Sequence, residues 1–440
     1  MPKFFLCLDP GGSETKVIYQ PIKDEKPRHF LMSPEVEEIS RNNFERYLER
    51  ELKLSNPAPS RQAYLEVNQQ IFAVGHFASK FDPKDRLREV KYENALYKVL
   101  AAVGIVIAKN NLNPQKNSLY LAVLLPWTEY EDRKMFQKKL KEYLSNFTFR
   151  GEPYSLTLDG FVCYPEGGGL AALYTRKQGE NWQQDQKLGV LMFGHRNITA
   201  LNFHYGELAG DSPLTGFSQF LDKVVERTSG LDRHSLASSI FSGLESYEKT
   251  THYKETIYYK DKKYAEYNFY PFWKELESIK KLAHARNEDL RTHEIDTIHE
   301  AIRVATNEYW ETVRKWLEEV FPDKLDEVII SGGASKFLQP DLERYFNCKH
   351  EVTGSTHSGS IHKRTGQYIP IDSKKHFTPI VWGAGSVTEI EEILSLKGKE
   401  EREKSLSHRL IDAYGLFEVL ISKYKKRTSA KNTKQKEKVS

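Results

Sequence analysis

The stretch FFLCLDPGGSETKVIYQ, from Phe4 to Gln20, constrains the fold more than any other part of the chain. An apolar run reaches Asp9, passes a Pro-Gly-Gly turn, sets Lys16 seven positions after the aspartate and turns apolar again. The pattern predicts two strands joined by a tight turn. Pro-Gly and Gly-Gly are ordinary turn residues, so the stretch alone is equally a plain hairpin. It is not a P-loop, whose G-x-x-x-x-G-K-[ST] opens a helix, whereas a strand follows here. A turn between antiparallel strands can still bind phosphate. Glycine lets amides approach closely, successive N–H groups form an anion-binding concavity, and a lysine adds a point charge. The aspartate suits another task, holding the waters of the hydrated Mg2+ that accompanies a nucleotide.

The outline recurs. KLGVLMFGHRNITALNFHYGEL is again an apolar strand, a glycine-containing turn and a second strand, and VIISGGASKF is a strand, a glycine turn and a helix. Between the opening stretch and the first of these, YLEVNQQIFAVG reads as a hairpin turning at VNQQI. LREVKYENALYKVLAAVGIVIAK reads as a helix, with Tyr92, Leu96, Val99 and Leu100 at three- and four-residue spacing. SLYLAVLLP is a buried strand, and EPYSLTLDGFVCYPEGGG a strand pair leading into a short helix from about Leu170. Phe217 to Trp316 is mainly helical, except for the Tyr-rich THYKETIYYKDKKYAEYNFYPFW, either a hairpin or an aromatic-rich insertion. Strands and helices mix throughout, which indicates an α/β fold.

At 440 residues there is room for two or more domains. Hydrophobic content of 39% with 29% charged residues describes a soluble globular protein. No apolar run approaches the roughly 20 residues of a membrane helix, and the apolar run ending at Asp9 is too short for a secretory signal. Cys7, Cys163 and Cys348 are odd in number and scattered, which fits a reducing cytoplasm better than disulfides or a zinc site. The formal net charge of +4 includes +7 from the last twenty residues, so the body carries −3, which gives no support for a nucleic-acid-binding surface on it. The basic tail is expected to be disordered, with weak contact to phosphate or acidic lipid as its alternative to plain solvation.

In this order the turns DPGGSETK, YPEGGG, FGHRNIT, SGGASKF and WGAGS resemble the actin-like ATPase superfamily, and most nearly bacterial plasmid-segregation actins of the ParM/StbA type. YLEVNQQIFAVGHFA is similar to that group's early hairpin and LLPWTEYEDR to its central strand end. The resemblance implies a duplicated ribonuclease H-like fold of two lobes with a nucleotide cleft between them. The first lobe would span 1–160, completed by 377–415, the second 161–376, with 416–440 as a C-terminal end and basic tail. It implies ATP, with GTP as an alternative, and Mg2+. Asp9 would hold the metal through water, Gly11, Gly12 and Ser13 would meet phosphate oxygens, and Lys16 would reach the β- and γ-phosphates. Glu166 would orient the attacking water, and with Asp9 it makes up the catalytic pair. Gly332, Gly333 and Ala334 would pack against the adenosine, and Gly383, in the turn to Gly385, would form the last nucleotide-side turn. The plain alternatives are a surface glutamate in a glycine turn and an ordinary strand-to-helix turn.

The second phosphate turn departs from that pattern. Met192 stands where the family has an aspartate, Gly194 is kept, and a later acidic position is Thr199. Met192 cannot hold metal-bound water. His195, Arg196 and Asn197 remain, and Arg196 offers charge to a phosphate in place of part of the cation's. Altered Mg2+ dependence or hydrolysis is therefore expected. The resemblance further implies head-to-tail filaments, since a heterologous interface that does not close gives an open helix, and DNA reached through an adaptor. A non-polymerising nucleotide switch is the alternative that the lost aspartate favours. A small-molecule kinase lacks a convincing substrate base. His357 and His362, five apart in a Ser/Gly-rich segment, read as a surface loop rather than metal ligands. The triplets at Asn146 and Asn197 carry no glycosylation meaning in a cytoplasmic protein.

Overall fold

A computed structural model describes residues 4–51, 57–81, 83, 91–179, 181–250, 254–259, 262–268, 270–348, 359–361, 368–370, 378–396 and 406–436. The chain divides into two compact units, one of Met1–Trp182 with Gly210–Ser212 and Gly383–Ser440, the other of Gln183–Ala209 with Pro213–Trp382.

The first unit is built on a sheet of β1 (Phe4–Pro10), β2 (Thr15–Pro21), β3 (Arg28–Met32), β4 (Asn117–Leu125) and β5 (Leu156–Pro165), in the order β3-β2-β1-β4-β5. β1, β2 and β3 form an antiparallel meander, while β1–β4 and β4–β5 pair in parallel. Every residue of β1 is buried, as a central strand covered on both faces requires. Side chains alternate along the strand. Phe4, Leu6 and Leu8 share a core with Ala95, Leu96, Val99, Leu100, Val103 and Val106 of the helix Lys91–Lys109. The periodicity predicts that helix. Phe5 and Cys7 instead meet the C-terminal helix, Leu406–Lys436: the Phe5 and Tyr424 rings lie 4.9 Å apart, and Cys7 Sγ donates to the Ala413 carbonyl at 3.2 Å. A second, smaller sheet contains the expected hairpin, Ala63–Val67 with Gln70–Val74. It turns at Asn68 and Gln69, both left-handed at φ 50° and 67°, the geometry that matches strand twist.

Two expectations are corrected. The basic run expected to be disordered is helical as far as Lys436: it continues the helix that begins at Leu406, in which Leu416, Phe417 and Leu420 are buried. The apolar spacing of LIDAYGLFEVLI gives the helix a face to lay on the sheet, and the basic composition beyond it hides that signal. Residues 437–440 lie outside the described residues. Likewise 161–182 belong to the first unit rather than the second, because β5 runs to Pro165 beside β4 and the helix Gly168–Gln178 packs on the C-terminal helix.

The second unit repeats the plan with β6 (Lys187–Phe193), β7 (Ile198–His204), β8 (Glu207–Asp211, of which Glu207–Ala209 belong to this unit), β9 (Glu327–Ser331) and β10 (Ile380–Trp382), ordered β8-β7-β6-β9-β10. β6–β7 is antiparallel, and β6–β9 and β9–β10 are parallel. The leading hairpins match in length, each with seven-residue strands around a four-residue turn. The core joins Leu191, Phe193 and Ile198 to Phe217, Phe220 and Val224, and to Ile302, Tyr309 and Val313 of the helix Glu288–Val320. Asn287 starts that helix by accepting from the amides of Asp289 and Leu290 at 3.0 and 3.1 Å. Of the two readings for the Tyr-rich segment, the backbone is a hairpin, Lys254–Tyr259 with Lys262–Asn268. His357 and His362 lie outside the described residues. Among those described, no helix is long and apolar enough to cross a membrane.

The helix Gly168–Gln178 and the C-terminal helix touch backbone to backbone. A Cβ on Gly169 would overlap the Asp412 carbonyl and press on the Leu416 amide, and one on Gly415 would overlap the Gly169 carbonyl. Neither neighbour is a side chain that can turn away. Gly169→Ala should therefore cost about 3 kcal/mol in urea unfolding, the upper range for overpacking. A loss below about 0.5 kcal/mol, typical of a neutral surface change, would contradict the crossing.

Candidate functional site

The register of β1 and β2 sets Asp9 opposite Lys16, and their side chains close on each other at 2.6 Å. Both are largely shielded, at 8% and 14% side-chain exposure, so this ion pair is less screened by water than a surface one. The turn between them is tight. The Gly11 amide donates to the Asp9 carbonyl at 2.9 Å, and a Cβ at Gly11 would sit 2.5 Å from the Glu14 carbonyl and 3.3 Å from Lys16 Nζ. The concavity therefore exists because residue 11 has no side chain. Gly12 is half-buried and Ser13 exposed. Glu14 is tied by its carboxylate to Arg409 of the C-terminal helix at 2.5 Å.

Glu166 follows β5. Its amide donates to the Leu125 carbonyl at 2.8 Å, and Gly167 turns left-handed at φ 85° to open the helix Gly168–Gln178. Gly167 brings no side chain to cap that helix. Asp412 does so from the C-terminal helix, accepting from the Gly167 amide at 2.7 Å and the Leu170 amide at 2.9 Å. Burial raises the Asp412 carboxyl to about 7, its two amide bonds oppose the shift, and the charges of Asp9 and Glu166 add to it. The turn at Gly383, Ala384 and Gly385 has three successive left-handed residues, at φ 56°, 49° and 60°. It packs against Ile411, and the Gly385 carbonyl accepts from Lys177 Nζ at 2.8 Å. The helix stretch Arg409 to Ala413 thus meets Glu14 of the first turn, Cys7 of β1, the chain beside Glu166 and the turn at Gly383.

In the second unit Met192 and Thr199 hold the places that Asp9 and Lys16 hold in the first hairpin. The pair there is neutral. Thr199 is buried, and its hydroxyl accepts from Asn197 Nδ2 at 3.3 Å. The carbonyls of Gly194, His195 and Arg196 accept from the amides of Phe217, Ser218 and Gly216, so the start of the helix Phe217–Glu226 is spent on fixing this turn. Gly332, at φ 104°, lies against Phe193, where a Cβ would overlap the Phe193 carbonyl, and the Ala334 amide donates to that carbonyl at 3.2 Å. The structure therefore brings Gly194, His195, Arg196 and Asn197 together with Gly332, Gly333 and Ala334 within the second unit. A hollow lined by Asn307, Glu311, Lys315 and Trp316 includes none of these residues.

Of these turns, the first has the chemistry to meet an anion. The Gly11 cradle, its adjoining amides and Lys16 are a donor set for phosphate oxygens. They do not form a metal cage: among the described residues no group of three His, Cys, Asp or Glu side chains is arranged for one. Asp9 alone suits an ion met through water. Sequence reasoning missed Asp412 and Arg409. The available signal was an aspartate inside the apolar run RLIDAYGLF, where Leu410, Ile411, Ala413, Tyr414, Leu416 and Phe417 are all buried. Because the Asp412 pKa is raised on folding, its protonated form favours the folded state, and that contribution is lost as pH rises from about 4 to about 7. Asp412→Asn should therefore gain stability relative to the native chain between pH 5 and pH 8 in urea unfolding. Parallel stability curves for the two would contradict the assignment.

Neither a protein-family model nor a curated protein matches the sequence. Solved structures do match in fold. The actin-like protein Alp7A shares 13% identity over 98% of this chain and 98% of its own, at a TM-score of 0.53. Bacillus thuringiensis ParM with ADP shares 10% over 96% and 99%, at 0.52, and the apo pSK41 ParM protein 13% over 96% and 98%, at 0.50. The chain has the α/β actin-like fold of the ParM and Alp proteins.

Proposed function

We propose that this chain is an ATP-binding actin-like protein that assembles into filaments, of the plasmid- or DNA-segregation and bacterial-cytoskeleton type. The observation that carries the reading is the first hairpin, where a glycine cradle and a shielded Asp9–Lys16 pair sit at the head of a twice-repeated sheet plan. In this reading Lys16 exchanges Asp9 for the β- and γ-phosphates, which the amides of Gly12 and Ser13 also bind, while Gly11, whose own amide is held by the Asp9 carbonyl, leaves room for them by having no side chain. Asp9 is then released to hold the waters of Mg2+. Gly332, Gly333 and Ala334 back the adenosine, and Gly383 belongs to the last nucleotide-side turn. Gly194, His195, Arg196 and Asn197 form the second phosphate turn. Glu166 orients the attacking water, a role worth about 10²–10⁴ in rate. The ADP seen in one protein of the same fold supports a nucleotide ligand.

The neutral Met192–Thr199 pair supports a second reading, a nucleotide-gated switch that does not polymerise. It removes one carboxylate that would hold metal-bound water, so ATP binding is expected to depend weakly on Mg2+ and hydrolysis to be slow. Sedimentation separates the readings. With ATP and Mg2+ the protein is expected to pellet above a critical concentration. Nucleotide binding without pelleting at any concentration would leave the switch. Met192→Asp is expected to speed phosphate release, and an unchanged rate would show that the second turn does not limit the chemistry.

A further inference from the structure

The C-terminal helix supplies no residue to the proposed nucleotide contacts, yet it reaches both turns of the first unit. Arg409 holds Glu14 beside the glycine cradle. One turn further along, Asp412 is buried at 1% exposure and aims both carboxylate oxygens at the chain beside Glu166: Oδ2 accepts from the Gly167 amide and Oδ1 from the Leu170 amide. A buried aspartate is costly unless it is fully hydrogen-bonded. Here the two amides come from the buried N-terminal end of a helix whose own cap position is a glycine. The carboxylate therefore fixes the direction in which the chain leaves Glu166. The Gly169–Gly415 contact brings the helices close enough for so short a side chain to reach.

We propose that Asp412 is a positioning residue for Glu166, acting through the Gly167 and Leu170 amides, so that the C-terminal helix sets the geometry of the water-orienting carboxylate. This rests on the reading of Glu166 given above. It separates two jobs within one unit, since the glycine cradle and Lys16 bind while Asp412 affects only what Glu166 does. Removing the carboxylate leaves two amides unpaired and frees the turn, and small misplacements of a catalytic group are costly even when binding is unchanged. Asparagine keeps the size but turns an NH2 toward one of the two donors, so it restores only one bond.

The test uses the full chain with ATP and Mg2+, and the variants Asp412→Ala, Asp412→Asn, Glu166→Gln and the double variant Asp412→Ala/Glu166→Gln. ATP affinity by calorimetry should stay within about threefold throughout, while phosphate release should fall about tenfold or more in Asp412→Ala and less in Asp412→Asn. In the Glu166→Gln background Asp412→Ala should cost nothing further, because the two residues act as one unit. Hydrogen exchange at the Gly167 and Leu170 amides should quicken in Asp412→Ala. An equal loss of rate in both backgrounds, a collapse of ATP affinity, or unaltered exchange at those amides would overturn the inference. If the native chain releases no phosphate, the hydrolytic reading fails on its own account, and the exchange measurement decides whether Asp412 holds the turn.

Discussion

Where Gly169 meets Gly415, no side chain holds the two helices apart, and much of the first unit depends on that closeness. It lets the C-terminal helix lie on the sheet face carrying Phe5 and Cys7, opposite the helix Lys91–Lys109. It brings Asp412 within reach of the Gly167 amide, and the same helix carries Arg409 to Glu14. Any side chain at position 169 or 415 would widen the crossing and loosen these contacts together. The stretch from Arg409 to Ala413 is in this sense part of the site, although no atom of it is asked to touch a ligand.

The two units show how one plan can be loaded differently. Both sheets run three-two-one and then two parallel strands, and both begin with a seven-four-seven hairpin. In the first, the paired positions at the base of the turn hold opposite charges, Asp9 and Lys16. In the second they hold Met192 and Thr199, and the turn is stiffened by the amides of Gly216, Phe217 and Ser218. Charge that exchanges partners suits one task, and a fixed neutral turn another. This asymmetry makes the first hairpin the place to look for polyphosphate, and the second the place where metal dependence would differ.

Much of this was legible in the sequence because it is local. The apolar runs on either side of the turn after Asp9, the hairpin at Asn68 and Gln69 and the apolar helix ending at Lys109 all declare themselves within about twenty residues, whereas Met192 stands out only against the family pattern that the turns resemble. What was not legible acts over distance. Asp412 meets Gly167 across 245 residues, and an aspartate in a helical run ordinarily reads as a solvent-facing position. The glycines at 169 and 415 look like a turn and a helix weakness until their helices cross. The basic run after Lys423 carries no apolar spacing, so nothing local in it shows that the helix continues to Lys436. The lobe boundary at 160 failed for a similar reason: the partner that keeps β5 in the first unit, β4, lies some thirty residues earlier.

The central claim is that the cradle at Gly11 and Gly12, with Lys16, grips a nucleotide's polyphosphate. Calorimetric titration of the intact protein with ATP tests it most directly, with Lys16→Ala measured beside the native chain. The account predicts a saturable heat for the native protein and an affinity at least about tenfold weaker once the ammonium is gone, as expected for a hydrogen bond to a charged group. Absence of heat with the native chain, or identical affinity in the variant, would contradict it and leave the hairpin an ordinary bend in a well-packed sheet.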